Sequence, residues 1–191
     1  MGLVTGQSHP NLLDKAARAL WLAVWTLLFR LSPTPLFGWR RFLLRSFGAE
    51  IGAGAHPYPS ARIWAPWNLV MKAGSCLGSG VDCYCVDRVV LGRDAVISQR
   101  AFLCTATHDH RKPGFQLMTG PVIIGENAWV AAEAYIGPGV TLGAGAVAGA
   151  RAVVVRDVPA GAVVVGNPAR LVTSNEEKAG ASVRMPSAQA R

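Results

Sequence analysis

From Ile124 to Val165 the chain divides into seven consecutive hexads, IGENAW, VAAEAY, IGPGVT, LGAGAV, AGARAV, VVRDVP and AGAVVV. The first position is Ile, Val or Leu in five of them and Ala in two, the second is Gly in five, and the fifth is Ala or Val in all seven. A period of six matches neither a helix face nor the alternation of a simple strand. It describes one short, flat rung of a parallel β-helix. A rung cannot bury its apolar residues alone. Stacked rungs place like residues above one another around a narrow shared core, small fifth-position side chains let the walls approach, and glycine eases each corner.

The same register continues upstream. Hexads beginning at Leu91, Ile97 and Leu103 make a further three-sided turn, and weaker ones begin at Ile51, Pro57, Ile63, Leu69, Ser75 and Val81, with a frame slip between Asp87 and Val90. About five turns are expected. With 191 residues and 51% apolar content, the chain reads as one all-β domain rather than several or a disordered protein. The expected division is an N-terminal helical, amphipathic segment over 1–50, the β-helix over 51–172 with a loop at 109–123, and a disordered tail over 173–191, where hexads and apolar periodicity stop.

The net charge of +8 is terminal. Residues 1–50 carry six Lys/Arg against two acids, 51–150 seven against six, and 151–191 six against three. A nucleic-acid reader would interleave basic and aromatic residues on one surface; the near-neutral repeat region does not. The uncharged run ALWLAVWTLLF, Ala19 to Phe29, is too short to span a bilayer, and no small-residue cleavage site follows it as in a secretory signal. After a Ser-Pro-Thr-Pro break, Leu36, Trp39, Leu43 and Phe47 recur at helical spacing with Arg40, Arg41 and Arg45 elsewhere on the turn. Two readings stay open for residues 15–47: peripheral contact with an anionic membrane surface, or packing on the β-helix or a neighbouring subunit. Cys76, Cys83, Cys85 and Cys104 lack paired CxxC spacing, so they read as small buried thiols rather than zinc ligands. Unpaired thiols favour a reducing, cytoplasmic compartment, at the inner membrane face if the helices do touch lipid.

Candidate chemistry sits where the repeat breaks. His108 ends the hexad LCTATH, and Asp109 to Ile123 leave the register before Ile124 resumes it. An Asp at the next first position turns the strand outward, so the excursion is a loop with a histidine at its root, on a scaffold of the kind that carries catalytic groups. A histidine that is mostly neutral at pH 7 can take a proton from a hydroxyl. His110 is the rival, farther out on the loop.

These hexads, the run LCTATHDH, the looped excursion and the ending GNPARLV resemble the hexapeptide-repeat O-acetyltransferases, and the TATHD segment with GNPAR resembles the branch that includes galactoside and maltose acetyltransferases. WAPWNL at Trp64–Leu69, ISQ at Ile97–Gln99 and the WRRFLLRSFGA entry are similar to the colanic-acid-biosynthesis acetyltransferases of polysaccharide gene clusters. The resemblance, over about residues 18–172, implies a left-handed parallel β-helix and a homotrimer with acetyl-CoA in the cleft between subunits. It also implies an acetyl group transferred to a hydroxyl of a sugar or glycan precursor, in exopolysaccharide or cell-surface glycan biosynthesis. The family's catalytic histidine falls on His108, with Asp109 beside it as a loop-orienting residue, and its CoA-contacting positions fall on Ala132, Ala150, Arg156 and Arg170, with Trp129 flanking the cleft. Each also has a plain reading, as rung residue, seam aromatic or solvated charge. Cys85 departs from the polar residue that similar sequences often place near the acceptor.

Three other readings stay beside this one: an amino-sugar N-acyltransferase, a catalytically silent trimeric scaffold, and a metalloenzyme like the γ-class carbonic anhydrases. The last needs three zinc-binding histidines, and of four in the chain His9 and His56 lie far from the loop. Residues 1–50 are too few for the helical domain of serine O-acetyltransferases.

Overall fold

The computed structural model describes residues 4–5, 12–111 and 113–173. Short strands stack in parallel into three sheets around a triangular core. Inward residues form three columns: Ile51, Met71, Leu91, Ile124, Leu142 and Val158 in the first sheet; Pro57, Leu77, Ile97, Val130, Ala148 and Val164 in the second; and Ile63, Cys83, Leu103, Ile136 and Val154 in the third. The fifth-position alanines 95, 101, 128, 134, 146 and 152 are buried between them. Each coil hydrogen-bonds to the next, as where the Trp129 N–H donates to the Ala146 carbonyl at 2.8 Å. This is the parallel β-helix of hexapeptide rungs with short N-terminal helices that the repeat predicts, in six coils rather than about five.

Every departure from six-residue spacing occurs at one corner. From the first sheet to the second, and from the second to the third, inward residues are always six apart. From the third sheet back to the first the interval is eight at Ile63 to Met71 and Cys83 to Leu91, twenty-one at Leu103 to Ile124, six at Ile136 to Leu142, and four at Val154 to Val158. Two expectations are corrected by this. The rungs placed at Leu69, Ser75 and Val81 begin two residues later, at Met71, Leu77 and Cys83, because Ala65 to Asn68, with a 3-10 turn at Pro66–Asn68, fill a longer corner. The last hexad is also out of frame: Val158 and Val164 point inward while Ala160 is exposed. In that shortened corner the Asp157 carboxylate accepts from the Thr141 N–H at 2.8 Å.

Glycine serves two separate purposes. The fourth rung position adopts positive φ and is filled by glycine, as at Gly145 (φ 65), or by residues such as Asn127 (φ 54) and Arg151 (φ 59). The second position takes glycine because the coils touch there: a Cβ on Gly92 would lie 2.6 Å from the Glu126 backbone nitrogen. Corner-turning therefore belongs to the fourth position, and the second-position glycines admit the adjacent coil.

At the N-terminal end, α1 (Leu12–Val24) runs into a wide turn at Trp25–Phe29 and is followed by α2 (Phe37–Ser46). Trp21, Phe29, Leu43, Leu44 and Ala49 close the end of the core. Five side chains donate to five carbonyls of the first coil. Arg45 reaches Ile51 (2.6 Å from Nη2), Arg41 reaches Ala55 (2.9 Å), Arg40 reaches Pro57 (2.7 Å), and the indoles of Trp25 and Trp21 reach Ala61 (2.8 Å) and Ile63 (2.7 Å). Arg40 is fully buried and also donates to Ser32, Pro33 and Thr34. Leaving any one of these acceptors buried and unmade would cost about 1–3 kcal/mol. Arg40, Arg41 and Arg45 are thus turned toward the coil, and of the two open readings packing on the β-helix accounts for them. The outward side carries exposed Leu13, Leu20, Leu27, Leu31 and Phe42. Among the described residues no helix is long and apolar enough to cross a membrane.

At the other end Arg170–Thr173 runs antiparallel to Val163–Val165, and Gly166 and Ala169 bond the backbone of Val153. The segment read as a disordered tail lies, beyond Thr173, outside the described residues.

Candidate active site

The long third corner is a β-hairpin rather than an irregular loop. Ala106–Asp109 pairs with Gln116–Thr119, His108 standing opposite Leu117, and Val4–Thr5 adds a third strand on the Thr119 side. The excursion begins at Thr105, not Asp109, and ends at Gly120, whose N–H donates to the Thr105 carbonyl at 2.9 Å; Val122–Ile124 is already part of the first sheet. Thr105 holds the root. It is fully buried, its hydroxyl donating to the Tyr84 carbonyl and accepting from the Asp87 N–H at 2.8 and 2.9 Å.

His108 therefore projects from a hairpin arm, exposed to solvent. Its Nδ1 lies 2.6 Å from the Phe115 carbonyl. A carbonyl only accepts, so Nδ1 carries the proton and the lone pair sits on Nε2, fixing both tautomer and ring direction. Phe115 presents that carbonyl from a tight turn, with positive φ at Gly114 (82) and Phe115 (47). The Asp109 carboxylate accepts from the Arg111 N–H at 3.0 Å, which shapes the tip. His110 is exposed at the tip.

The other candidates divide between two corners. Ala132 and Ala150 stack at the second corner, the Arg151 N–H donating to the Ala132 carbonyl at 2.9 Å. Trp129 stands on the outer face of the second sheet, 40% exposed, its indole donating to the Ser98 hydroxyl at 2.8 Å. Arg170 is exposed on the strand that ends this sheet. Arg156 lies instead at the third corner, the one that bears the hairpin. Beside Ala132 and Ala150, Glu133 receives both Arg100 and Arg151 (2.6 Å from Arg151 Nε), and these two guanidiniums, Arg151 first, hold its carboxyl below the usual range.

No family model matches the sequence. A curated relative, "Putative colanic acid biosynthesis acetyltransferase WcaF" of Escherichia coli (strain K12), is 41% identical over 158 residues, covering 83% of this chain and 87% of the relative. The chain belongs to the hexapeptide-repeat acetyltransferases. Solved structures with the same fold include a hexapeptide-repeat acetyltransferase of Vibrio cholerae O1 biovar eltor complexed with acetyl coenzyme A. It has a TM-score of 0.79 at 22% identity and covers 88% of this chain and 92% of its own. A galactoside acetyltransferase in complex with coenzyme A follows at 0.72 and 19%, covering 93% and 89%. A maltose O-acetyltransferase from Clostridium difficile 630 has 0.71 and 24%, covering 85% and 88%.

In this acetyltransferase, then, one chain does not bring all the sequence-predicted residues together. His108 and Arg156 share the third corner, whereas Trp129, Ala132, Ala150 and Arg170 gather along the second sheet and second corner. Cys85 is fully buried. It lies buried in an eight-residue corner rather than at a fifth position, its thiol donating to the Ala65 carbonyl at 3.2 Å. Cys83 points into the core and Cys104 is buried, while Cys76 is half-buried. Among the described residues no His, Cys, Asp or Glu cluster is arranged to hold a metal. Sequence reasoning missed the Phe115 carbonyl and Thr105. A backbone acceptor has no residue signature, though Gly114 marks the turn that presents it.

Proposed function

We propose that the protein is an acetyl-CoA-dependent O-acetyltransferase that esterifies a sugar hydroxyl, in exopolysaccharide or cell-surface glycan synthesis, and that it works as a cytoplasmic homotrimer. The observation that carries this reading is the clamped His108 ring. With Nδ1–H bonded to the Phe115 carbonyl at 2.6 Å, Nε2 is oriented to take the acceptor's hydroxyl proton as the oxygen attacks the thioester carbonyl; the carbon–sulfur bond then breaks, and the imidazolium, still bonded through Nδ1, returns the proton to the departing CoA sulfur. The relative named for colanic acid biosynthesis and the sugar acetyltransferases that share the fold support the choice of acceptor.

Acetyl-CoA supplies the activated acyl group as a thioester. The second corner suits its long arm: Ala132 and Ala150 present little beyond backbone along one line, Trp129 offers an exposed aromatic wall, and Arg170 offers a cation for phosphate. Because His108 and Arg156 stand at a different corner, the complete site is read as a cleft between two subunits, each giving one corner. Peripheral membrane contact through residues 15–47 rests on the exposed leucines, since Arg40, Arg41 and Arg45 are engaged by the coil.

The test is His108→Ala. Acetyl transfer from acetyl-CoA to a panel of sugars should fall about 10²- to 10⁴-fold in kcat with an unchanged thermal midpoint. Turnover near that of the unaltered protein would remove His108 from the chemistry.

A further inference from the structure

Between α1 and the outer face of the third sheet lies a cavity of about 480 Å³, well within the size range of small-molecule sites. Four cations line it: Lys15, Arg18, Arg30 and Arg62. Among the described residues Asp82 is its one lining carboxylate, 3.9 Å from Arg62, and Asp14 stands one turn before Arg18 on α1. Positive charge therefore exceeds negative with both acids counted. The walls are indoles. Arg18 stacks 5.1 Å from the centre of the Trp64 ring and Arg30 stacks 5.5 Å from that of Trp25. A guanidinium held by its face keeps its edge donors available for phosphate oxygens, and exposed indole surface is suited to the apolar face of a sugar ring.

Its place in the coil relates it to the hairpin. Trp64 begins a row of rings along the third sheet, Trp64 to Tyr84 at 5.2 Å, Tyr84 to Phe102 at 6.4 Å and Phe102 to Tyr135 at 5.5 Å. The strand Phe102–Cys104 leads directly into the arm that bears His108. Two inter-strand steps, about 10 Å at ordinary strand spacing, separate the strand of Ile63, which lines the cavity, from that of Leu103, and His108 follows five residues further along the chain.

We infer that this cavity binds the phosphate or diphosphate ester of the acceptor, so that the enzyme acetylates a carrier-linked or nucleotide-linked sugar rather than a free one. The inference rests on the sugar-acceptor reading above and deepens it. Free coenzyme A also carries phosphates, but Trp129, Ala132, Ala150 and Arg170, proposed for it above, lie along the second sheet and second corner, Arg156 lies on a later coil of the third corner, and none of the five lines this cavity.

Binding is measured apart from turnover by titrating the tryptophan fluorescence of His108→Ala protein with inorganic pyrophosphate, UDP-glucose, farnesyl diphosphate and, as the neutral control, methyl glucoside. The three phosphate compounds should bind and methyl glucoside should not. Arg18→Gln combined with Arg62→Gln, and separately Arg30→Gln, should each weaken phosphate binding about tenfold or more while the protein's melting point holds. Tighter UDP-glucose than farnesyl diphosphate assigns a nucleotide carrier, and the reverse assigns a polyprenyl one. In otherwise unaltered enzyme the acetyl-CoA KM should stay the same in these variants. Phosphate compounds that bind no better than methyl glucoside, or equally well to the variants, overturn the inference. So does a raised acetyl-CoA KM with pyrophosphate competing against acetyl-CoA, which would give the cavity to the donor. Phosphate binding without acetyl transfer to any sugar would instead sink the proposed function.

Discussion

Two corners of the coil advance by six residues in every turn, while the third takes four, six, eight or twenty-one. Inside a rung, one extra residue exchanges inward and outward side chains, and the fault would pass to every later coil. At the third corner the chain leaves the wall and returns in frame, whereas the second corner is itself bonded coil to coil, the Arg151 N–H donating to the Ala132 carbonyl. Confining all such departures to one edge lets two regular corners hold the stack while the third carries the hairpin and His108. The second corner offers the opposite kind of surface, with small regular rungs, Ala132 and Ala150, and the Arg100–Glu133–Arg151 ladder.

The contrast can be broken most severely by insertion. Two glycines between Ala131 and Ala132, at the second corner, should abolish the cooperative thermal transition. The same pair between Pro138 and Gly139, at the third, should cost about 1 kcal/mol, on the order of a modest loop extension. Equal damage at both sites would show that the third corner has no special tolerance. Next in size is complementation. When His108→Ala and Arg170→Ala subunits are unfolded together and refolded, random trimers should regain about one quarter of the intact activity, because a mixed ring of three holds one complete cleft. Proven heterotrimers without activity would place both residues in one chain's site.

Within the regular corners, glycine substitutions separate coil contact from backbone turning. Gly92→Ala forces a Cβ to 2.6 Å from backbone and should cost about 3 kcal/mol. Gly145→Ala has its nearest neighbour at 3.9 Å and should cost about 1 kcal/mol for its positive φ. Urea denaturation of the pair reads the difference directly. The smallest effect is at Glu133. Its carboxyl is held below the ordinary 4.5 by Arg151 and Arg100, so its contribution is present above the unfolded value and is lost as pH falls through the lower folded one. Glu133→Gln should flatten the melting point against pH below about 4.5 at low salt, and added salt should erase the difference by screening.

The rungs from Ile124 to Val154 were legible because nothing interrupts them; the frame at Leu69 was not, because an eight-residue corner with an apolar Trp67 and Leu69 mimics a rung. The same cause misplaced the last hexad: Val158 is apolar in either frame, and only pairing with Leu142 shows which column it joins. His108 stood out where the period fails, but the Phe115 carbonyl that orients it carries no side-chain signal. For Arg40, Arg41 and Arg45 the sequence left packing and membrane contact both open. Helical periodicity reports which side of a helix is polar, and carbonyls of a coil attract that side as well as water does.

Those five donors on the first coil have a further consequence. A stack of parallel strands ends in a row of unbonded acceptors, and a second stack could continue from it without limit. By occupying Ile51, Ala55, Pro57, Ala61 and Ile63, the helices act as a terminator of growth. A chain cut before Gly48 would be left with a templating rim, and end-to-end fibres are its expected fate.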